Sequence, residues 1–199
     1  MGRMIIGITG SIGSGKSSCA RYLGRYGFSV INVDKLYRHL YGKGSPLRKK
    51  LIGAFGKDIL KKNGAIDRPS IRKIVFNNPK KLKLLNSIAH PVILSETRKR
   101  IAASKKPVVV DAPLLIEAGF DALCDYVIVV HARKDIVLKR LLATRPLSKK
   151  EILSIMRTQM TFSQKRTHAD FLVDTSGGYG KTHAQLKEII ARIREKSDT

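Results

Sequence analysis

The chain has 199 residues, with 39 Lys and Arg against 15 Asp and Glu, so its formal net charge at pH 7 is +24. This length fits one domain with a hydrophobic core and a small insertion, and a hydrophobic content of 43% excludes a disordered basic tail. The charge indicates an anionic partner. Nucleic acid, an anionic membrane and a polyphosphate ligand all qualify, and charge alone does not choose among them.

The cysteines and the N-terminal segment indicate a reducing compartment. Cys19 and Cys124 are far apart in the sequence and lie in apolar surroundings, which argues against a disulfide framework. The apolar run at residues 4–8 is too short for a membrane span or for the apolar region of a secretory signal. We therefore expect a cytoplasmic protein with no membrane partner.

Short apolar segments along the chain predict the strands of a parallel sheet. They are apolar throughout rather than alternating, which is typical of strands buried on both faces. Helical patterns follow the first and the fourth segment, and an apolar stripe at helical spacing lies near the C-terminus. This alternation predicts an α/β fold, with a doubly wound parallel sheet of about five strands. The strand segments are residues 4–9, 28–33, 107–112, 126–131 and 171–173.

The first strand leads into a motif for binding phosphate. The sequence GSIGSGKS at residues 10–17 matches the pattern G-x-x-x-x-G-K-[ST], between a predicted strand and a predicted helix. Its glycines let the backbone N–H groups surround phosphate oxygens, Lys16 reaches the β- and γ-phosphates, and the Ser17 hydroxyl binds Mg²⁺. The predicted ATP-binding residues are Gly10, Ser11, Ile12, Gly13, Ser14, Gly15, Lys16, Ser17 and Ser18.

Triphosphate binding fits several enzyme classes, and a small-molecule kinase fits this chain best. The Asn-Lys-x-Asp motif by which a GTPase reads its base does not occur in the sequence. Residues 174–177 match the Asp-x-x-Gly pattern of a GTPase switch, but they lie near the C-terminus, in the wrong chain order. We interpret them as a strand end followed by a turn.

Two carboxylates at strand ends are candidates for the acceptor side of the reaction. A kinase that acts on a hydroxyl needs a carboxylate to orient that hydroxyl and to accept its proton. Asp34 ends the second predicted strand, where a doubly wound sheet opens its crevice, but it could instead cap a helix beginning at Lys35. Asp111 ends the third strand, where it could bind Mg²⁺ or the backbone of a turn.

About seventy residues separate the second and third strands, and they contain helical patterns but no convincing strand. A structureless loop of this length would be unusual, so the region, approximately residues 36–105, is predicted to be an inserted helical subdomain. Residues 1–199 otherwise form a single kinase domain.

Several sequence blocks resemble the dephospho-CoA kinase family. The phosphate loop is shared by many enzymes, whereas LNSIAHP at residues 85–91 and DAPLLIE at residues 111–117 are more specific at this separation. Further matches are VINVD at residues 30–34, LKRL at residues 138–141, Gln159, Lys165 and ADFLVD at residues 169–174. The blocks follow the family order and span nearly the whole chain.

The resemblance implies transfer of the γ-phosphate of ATP to the ribose 3′-hydroxyl of dephospho-CoA, with Mg²⁺. It implies that Asp34 is the catalytic base, and that the helical insertion holds the CoA-like substrate through Arg72 and His90. His90 could instead satisfy a buried turn beside Pro91. The resemblance further implies a lid at approximately residues 140–166, whose Arg140 stabilises the transferring phosphoryl group. The expected partners are therefore ATP and dephospho-CoA.

The sequence departs from the family pattern at several positions. Asn32 replaces the first acid of an Asp-x-Asp, and Ser11 replaces a common Gly in the phosphate loop. The second lid arginine of the family aligns with Thr144, while Arg145 follows directly, so that contact is either shifted by one residue or lost. Thr175 stands where the family usually has Asn.

Two other functions remain open from the sequence. One is a related P-loop kinase that acts on a nucleoside, nucleotide or sugar. The other is a nucleic-acid-binding ATPase, suggested only by the net charge. Six Tyr, six Phe and no Trp offer few surfaces for base stacking, which argues against nucleic acid as a partner.

Overall fold

One five-stranded parallel sheet forms the centre of the computed structural model, which describes residues 4–76, 78–144 and 148–197. Its strands are β1 (Ile5–Thr9), β2 (Ser29–Asn32), β3 (Val108–Asp111), β4 (Tyr126–His131) and β5 (Phe171–Asp174). Their order across the sheet is β2-β3-β1-β4-β5. The predicted α/β fold is confirmed, with a strand at each expected segment.

Helices follow the strands and fill the long interval between β2 and β3. Two short 3-10 turns, Lys57–Ile59 and Asp121–Leu123, interrupt the connections. In the described part of the chain, no helix is both long enough and apolar enough to cross a membrane. The helices are α1 (Lys16–Arg25), α2 (Val33–His39), α3 (Pro46–Phe55), α4 (Arg68–Phe76), α5 (Pro79–Ala103), α6 (Lys134–Thr144), α7 (Lys149–Arg157), α8 (Phe162–Arg166) and α9 (Tyr179–Ser197).

The chain divides into two compact units. The first, called here the phosphate-loop unit, combines Met1–Ile31 with Ser104–Thr199. The second, the helical unit, is Asn32–Ala103.

The core of the phosphate-loop unit lies between the sheet and helices α1 and α9. Ile6 and Ile8 of β1 are fully buried in one cluster with Leu23 of α1, and β1 pairs with β3 on one side and β4 on the other. The predicted C-terminal stripe faces this core, and each buried Leu or Ile side chain contributes roughly 1.5–3 kcal/mol. The stripe consists of Leu186, Ile189, Ile190 and Ile193.

The helical unit packs around α5, which contacts α2, α3 and α4. Leu47 and Leu51 of α3 are fully buried. Pro91 lies inside α5, where it lacks an N–H to donate and costs roughly 3 kcal/mol relative to Ala. Ala89 and Ile93 are buried on either side of it, and we attribute the tolerance of Pro91 to this packing.

Candidate active site

The phosphate loop joins β1 to α1. α1 begins at Lys16, and its N-cap Gly15 provides no side-chain hydrogen bond. The first N–H groups of a helix have no intrahelical acceptor, and the helix dipole places a partial positive charge there. An uncapped helix start that follows a glycine-rich turn is therefore suited to bind phosphate oxygens.

Close packing explains two of the loop glycines. A Cβ on Gly13 would lie 2.9 Å from side-chain atoms of both Val137 and Leu141 in α6, and Gly13 has a positive φ of 78°. A Cβ on Gly10 would clash with the Val130 carbonyl oxygen. Ser11 is accommodated, because every positive φ in the described part of the chain belongs to a glycine.

Lys16 and Asp111 form a buried ion pair beside this loop. The Lys16 Nζ donates a hydrogen bond to Asp111 Oδ1, and both residues are buried. The chain reaches this arrangement because Lys16 opens α1 and Asp111 closes β3, which pairs directly with β1. Asp111 therefore binds the phosphate-loop lysine itself.

Thr175 connects the phosphate loop to Arg140. Its hydroxyl donates to the Ser14 carbonyl oxygen at 2.7 Å and accepts from Arg140 Nη1 at 2.9 Å. Arg140 Nη2 also donates to the Thr175 carbonyl oxygen at 2.7 Å. The predicted lid arginine is thus held at the end of β5, and the threonine that departs from the family pattern is the residue that holds it.

Ser14 contributes one more polar atom to the loop. Its side-chain hydroxyl is buried and, among the described residues, has no hydrogen-bond partner. Buried hydroxyls are normally paired. An unpartnered hydroxyl inside the phosphate loop fits a site whose remaining acceptors come from a bound anion.

A second buried lysine lies behind the loop. Lys165 of α8 is fully buried, and its Nζ donates to both carboxylate oxygens of Glu117 at 2.8 Å. Burial lowers the pKa of Lys165, and the hydrogen bonds that it donates to Glu117 oppose that shift. Nearby, the Ile12 N–H of the phosphate loop donates to Gln159 Oε1 at 3.2 Å.

Asp34 belongs to the helical unit, in the first turn of α2, and its side chain is exposed. The alternative that Asp34 caps this helix is wrong. α2 begins at Val33, and the cap is Asn32, whose Oδ1 accepts from the Lys35 N–H at 2.8 Å. The same Asn32 replaces the first acid of the family pattern, so this departure has a local structural function.

Arg72 and His90 also belong to the helical unit. Arg72 is exposed on α4. His90 is half-buried in the interior of α5, so the alternative that it satisfies a turn is wrong. Burial lowers the pKa of His90, which favours a neutral imidazole at pH 7. Arg145 lies outside the described residues.

Within the phosphate-loop unit, the predicted site residues do come together. Lys16 is paired with Asp111, and Arg140 is hydrogen-bonded to Thr175, whose hydroxyl donates to Ser14 of the phosphate loop. The sequence alone does not reveal functions for Glu117, Lys165 and Thr175, although each lies in or directly after a segment that resembles the family. Lys165 sits in a run of polar residues among 39 basic ones, so a single sequence does not reveal that it is buried.

Comparisons with known proteins identify the family of this chain. The sequence model of the dephospho-CoA kinase family matches residues 4–180. A dephospho-CoA kinase from Carboxydothermus hydrogenoformans is 41% identical, with 96% of this chain and 95% of the relative covered. A crystal structure from Thermus thermophilus superposes with a TM-score of 0.84 at 29% identity, covering 96% of this chain and 98% of that one. A dephospho-CoA kinase from Campylobacter jejuni gives a TM-score of 0.69 at 28% identity, covering 97% and 98%. The chain belongs to the dephospho-CoA kinase family.

Proposed function

We propose that this chain transfers the γ-phosphate of ATP to the ribose 3′-hydroxyl of dephospho-CoA, giving CoA and ADP. The observation that carries the proposal is the phosphate loop at residues 10–17 within a chain that matches the family over residues 4–180. The loop supplies the site for the phosphoryl donor, and the family match identifies the acceptor.

The phosphate loop holds ATP in this proposal. Backbone N–H groups of residues 10–18 surround the phosphates at the start of α1, while Lys16 approaches the β- and γ-phosphates as a cation. Before ATP binds, Asp111 balances the charge of Lys16. Incoming phosphate oxygens provide a second set of acceptors for the same ammonium, so the pair holds the lysine in place for its ligand.

Ser17 and Asp111 are the residues that would hold Mg²⁺. A hydroxyl and a carboxylate offer the oxygen donors that this ion prefers, and Mg²⁺ usually binds through one or two protein groups together with substrate phosphates. When bound, the ion would neutralise charge on the β- and γ-phosphates. Asp111 then has two functions, as the counter-charge of Lys16 and as a metal ligand or a ligand of metal-bound water.

Asp34 is the proposed catalytic base. Its side chain is exposed at the start of α2, directly after β2, and the cap of this helix is Asn32 rather than Asp34. An ionised carboxylate there can orient the ribose hydroxyl and take its proton as the oxygen–phosphorus bond forms. The assignment of this residue follows from the match of residues 30–34 to the family.

Arg140 is the proposed cation for the transferring phosphoryl group. Charge accumulates on the equatorial oxygens in the transition state, where a fixed guanidinium is most effective. Two hydrogen bonds to Thr175 restrict Arg140, so less ordering is needed when ATP arrives. Residues 140–166 are the proposed lid.

The helical unit is the proposed wall for the CoA-like substrate. Arg72 is an exposed cation suited to substrate phosphate, and a neutral His90 is suited to a hydrogen bond with substrate. Both cysteines are free thiols, which fits a reducing compartment, and we place the protein in the cytoplasm.

An acceptor panel tests the proposed reaction. Purified protein is supplied with ATP and Mg²⁺, and ADP release is followed with dephospho-CoA, AMP, adenosine, gluconate or shikimate as the acceptor. We expect turnover with dephospho-CoA that exceeds every other acceptor by at least tenfold. Preference for a mononucleotide or a sugar acid would contradict the proposal. A parallel assay with single-stranded DNA should leave the ADP release unchanged.

A further inference from the structure

Lys165 is the largest side chain among the fully buried residues of the described chain, with 0% of its surface exposed. Taking an ammonium out of water is costly unless other groups pair with it. Its hydrogen-bond partners lie at the end of β1 and in the segment after β3, and the proposed reaction assigns Lys165 no function.

The Lys165 ammonium has a partner for each of its N–H directions. It donates to the Glu117 carboxylate at 2.8 Å, to the Pro113 carbonyl oxygen at 2.9 Å and to Thr9 Oγ1 at 3.3 Å. An ammonium has three donors, so the group is fully satisfied. One side chain thereby joins α8 to the end of β1 and to the segment after β3.

These contacts converge on the phosphate loop. Thr9 is the last residue of β1, immediately before Gly10, and its own hydroxyl donates to the Pro113 carbonyl oxygen at 3.1 Å. Glu117 Oε1 also accepts from the Met160 N–H at 3.0 Å. Met160 follows Gln159, whose Oε1 accepts the Ile12 N–H from inside the loop.

We propose that Lys165 is a positioning residue, which, through Glu117 and Gln159, sets the shape of the phosphate loop that receives ATP. Lys165 fixes the start of the loop through Thr9, and Glu117 fixes the backbone that carries Gln159. Gln159 then holds the Ile12 N–H at the middle of the loop. This inference rests on the proposed function only in assuming that the loop binds ATP.

Stabilising the fold alone would not require a buried ion pair such as Lys165–Glu117. Apolar side chains of similar volume often replace a buried ion pair with little loss of stability. A charged pair with fixed hydrogen-bond directions instead determines where its neighbours lie. Here those neighbours are Thr9, directly before the phosphate loop, and Met160, directly after the Gln159 that contacts the loop. The expected defect is therefore in nucleotide binding and turnover rather than in folding.

The first experiment removes the pair without leaving an unpaired charge. Lys165→Met combined with Glu117→Gln keeps the volume and an acceptor for the Met160 N–H. We expect its melting temperature to stay within a few degrees of the wild type and its Kd for ATP, measured by calorimetry, to rise at least tenfold. Lys62→Met, at an exposed position in the helical unit, is the matched charge control and should bind ATP like the wild type. Affinity of the double variant within twofold of the wild type would overturn the proposal.

A coupling measurement separates positioning from a general loss of order. Gln159→Ala should weaken ATP binding about fivefold in the wild type, but less than twofold in the Lys165→Met/Glu117→Gln background, where the contact is already misplaced. Equal losses in both backgrounds would contradict a shared function.

If the double variant does not fold, a comparison of Lys165→Arg with Lys165→Gln replaces it. Lys165→Arg keeps the charge and should bind ATP more tightly than Lys165→Gln. Equal ATP affinity of these two variants would overturn the proposal. ATP binding needs no acceptor, so a wrong acceptor assignment would not alter these outcomes.

Discussion

The ammonium of Lys16 and the carboxylate of Asp111 form an ion pair whose side chains are 10% and 3% exposed. One residue begins α1 and the other ends β3, so the pair joins the phosphate loop to the neighbouring strand of the sheet. A buried charge that loses its partner is strongly destabilising, whereas a paired one is tolerated. The pair therefore holds the lysine in place at the phosphate site.

Removing the charge of Asp111 tests this pair. Asp111→Asn keeps the shape but leaves the Lys16 ammonium without a counter-charge, so we expect the free energy of unfolding to fall by about 3 kcal/mol. We also expect the Mg²⁺ concentration for half-maximal activity to rise. Urea unfolding and an Mg²⁺ titration of the rate measure the two effects. Asp135→Asn, which removes an exposed carboxylate paired with Arg133, is the control. Unchanged stability together with unchanged Mg²⁺ dependence would contradict the account.

Asp34 should be needed for turnover but not for ATP binding. Asp34→Asn removes the proton acceptor and leaves the phosphate loop untouched, so kcat should fall by roughly 10²–10⁴-fold while the Kd for ATP stays constant. Asp58→Asn, at another exposed position in the helical unit, should retain full activity. An Asp34→Asn enzyme that turns over at the wild-type rate would refute the assignment of the base.

Thr175 should matter through its hydroxyl. Thr175→Val preserves the volume and the backbone carbonyl that accepts from Arg140 Nη2, but it removes the hydroxyl that contacts Ser14 and Arg140 Nη1. We expect kcat/KM for ATP to fall by about tenfold, which corresponds to the loss of one well-placed hydrogen bond. Thr175→Ser restores the hydroxyl and should recover most of the rate. If Val and Ser behave alike, the arrangement of Arg140 does not depend on this contact.

Much of the fold was predictable from the sequence because strands buried on both faces leave continuous apolar runs. The apolar run that predicts the last strand is short, at residues 171–173. In the structure β5 extends to Asp174, which pairs with His131 of β4 and whose N–H donates to Gln185 Oε1. The continuous helix α5 was not predicted, since Pro91 and its neighbours are more typical of a break, and packing on both sides of the proline outweighs that preference.

The candidate site was predictable where local sequence carries the chemistry. The phosphate loop is contiguous, so its pattern is readable directly. The Lys165–Glu117 pair joins residues 48 positions apart, and only tertiary packing brings them together. Asn32 differs, because its function is local. It stands where the family has an acid, and its side chain caps α2 through the Lys35 N–H three residues later.

The two cysteines should be unreactive in the folded protein. Burial raises the pKa of Cys19 and of Cys124 to about 12, so almost none of either thiol is ionised at pH 8. Titration with Ellman's reagent should proceed slowly in buffer and rapidly in denaturant. Rapid reaction of a thiol in the native protein would contradict the raised pKa values, and Cys19→Ser and Cys124→Ser variants identify whether the buried Cys19 or the half-buried Cys124 reacts.

Asp174 should stabilise the fold only while it is ionised. Hydrogen bonds from Ser176 lower its pKa below 3.8, including one from the Ser176 N–H at 2.8 Å. The folded state then binds the proton less readily than the unfolded state. The contribution of Asp174 to the free energy of unfolding is therefore complete above the pKa of the unfolded state, and it is lost as the pH falls through the pKa of the folded state. Asp174→Asn should therefore be less stable than the wild type at pH 7, and the difference should narrow at pH 3. A difference independent of pH would show that the charge has no part in it.

The position of the transferred phosphate tests the proposed reaction. Purified wild-type protein is incubated with ATP, Mg²⁺ and dephospho-CoA, and the product is examined by phosphorus NMR and mass spectrometry. We expect a product with one added phosphate, present as a ribose 3′-monoester beside an intact diphosphate. Recovery of unmodified dephospho-CoA, or a phosphate attached at any other position, would contradict the proposed reaction.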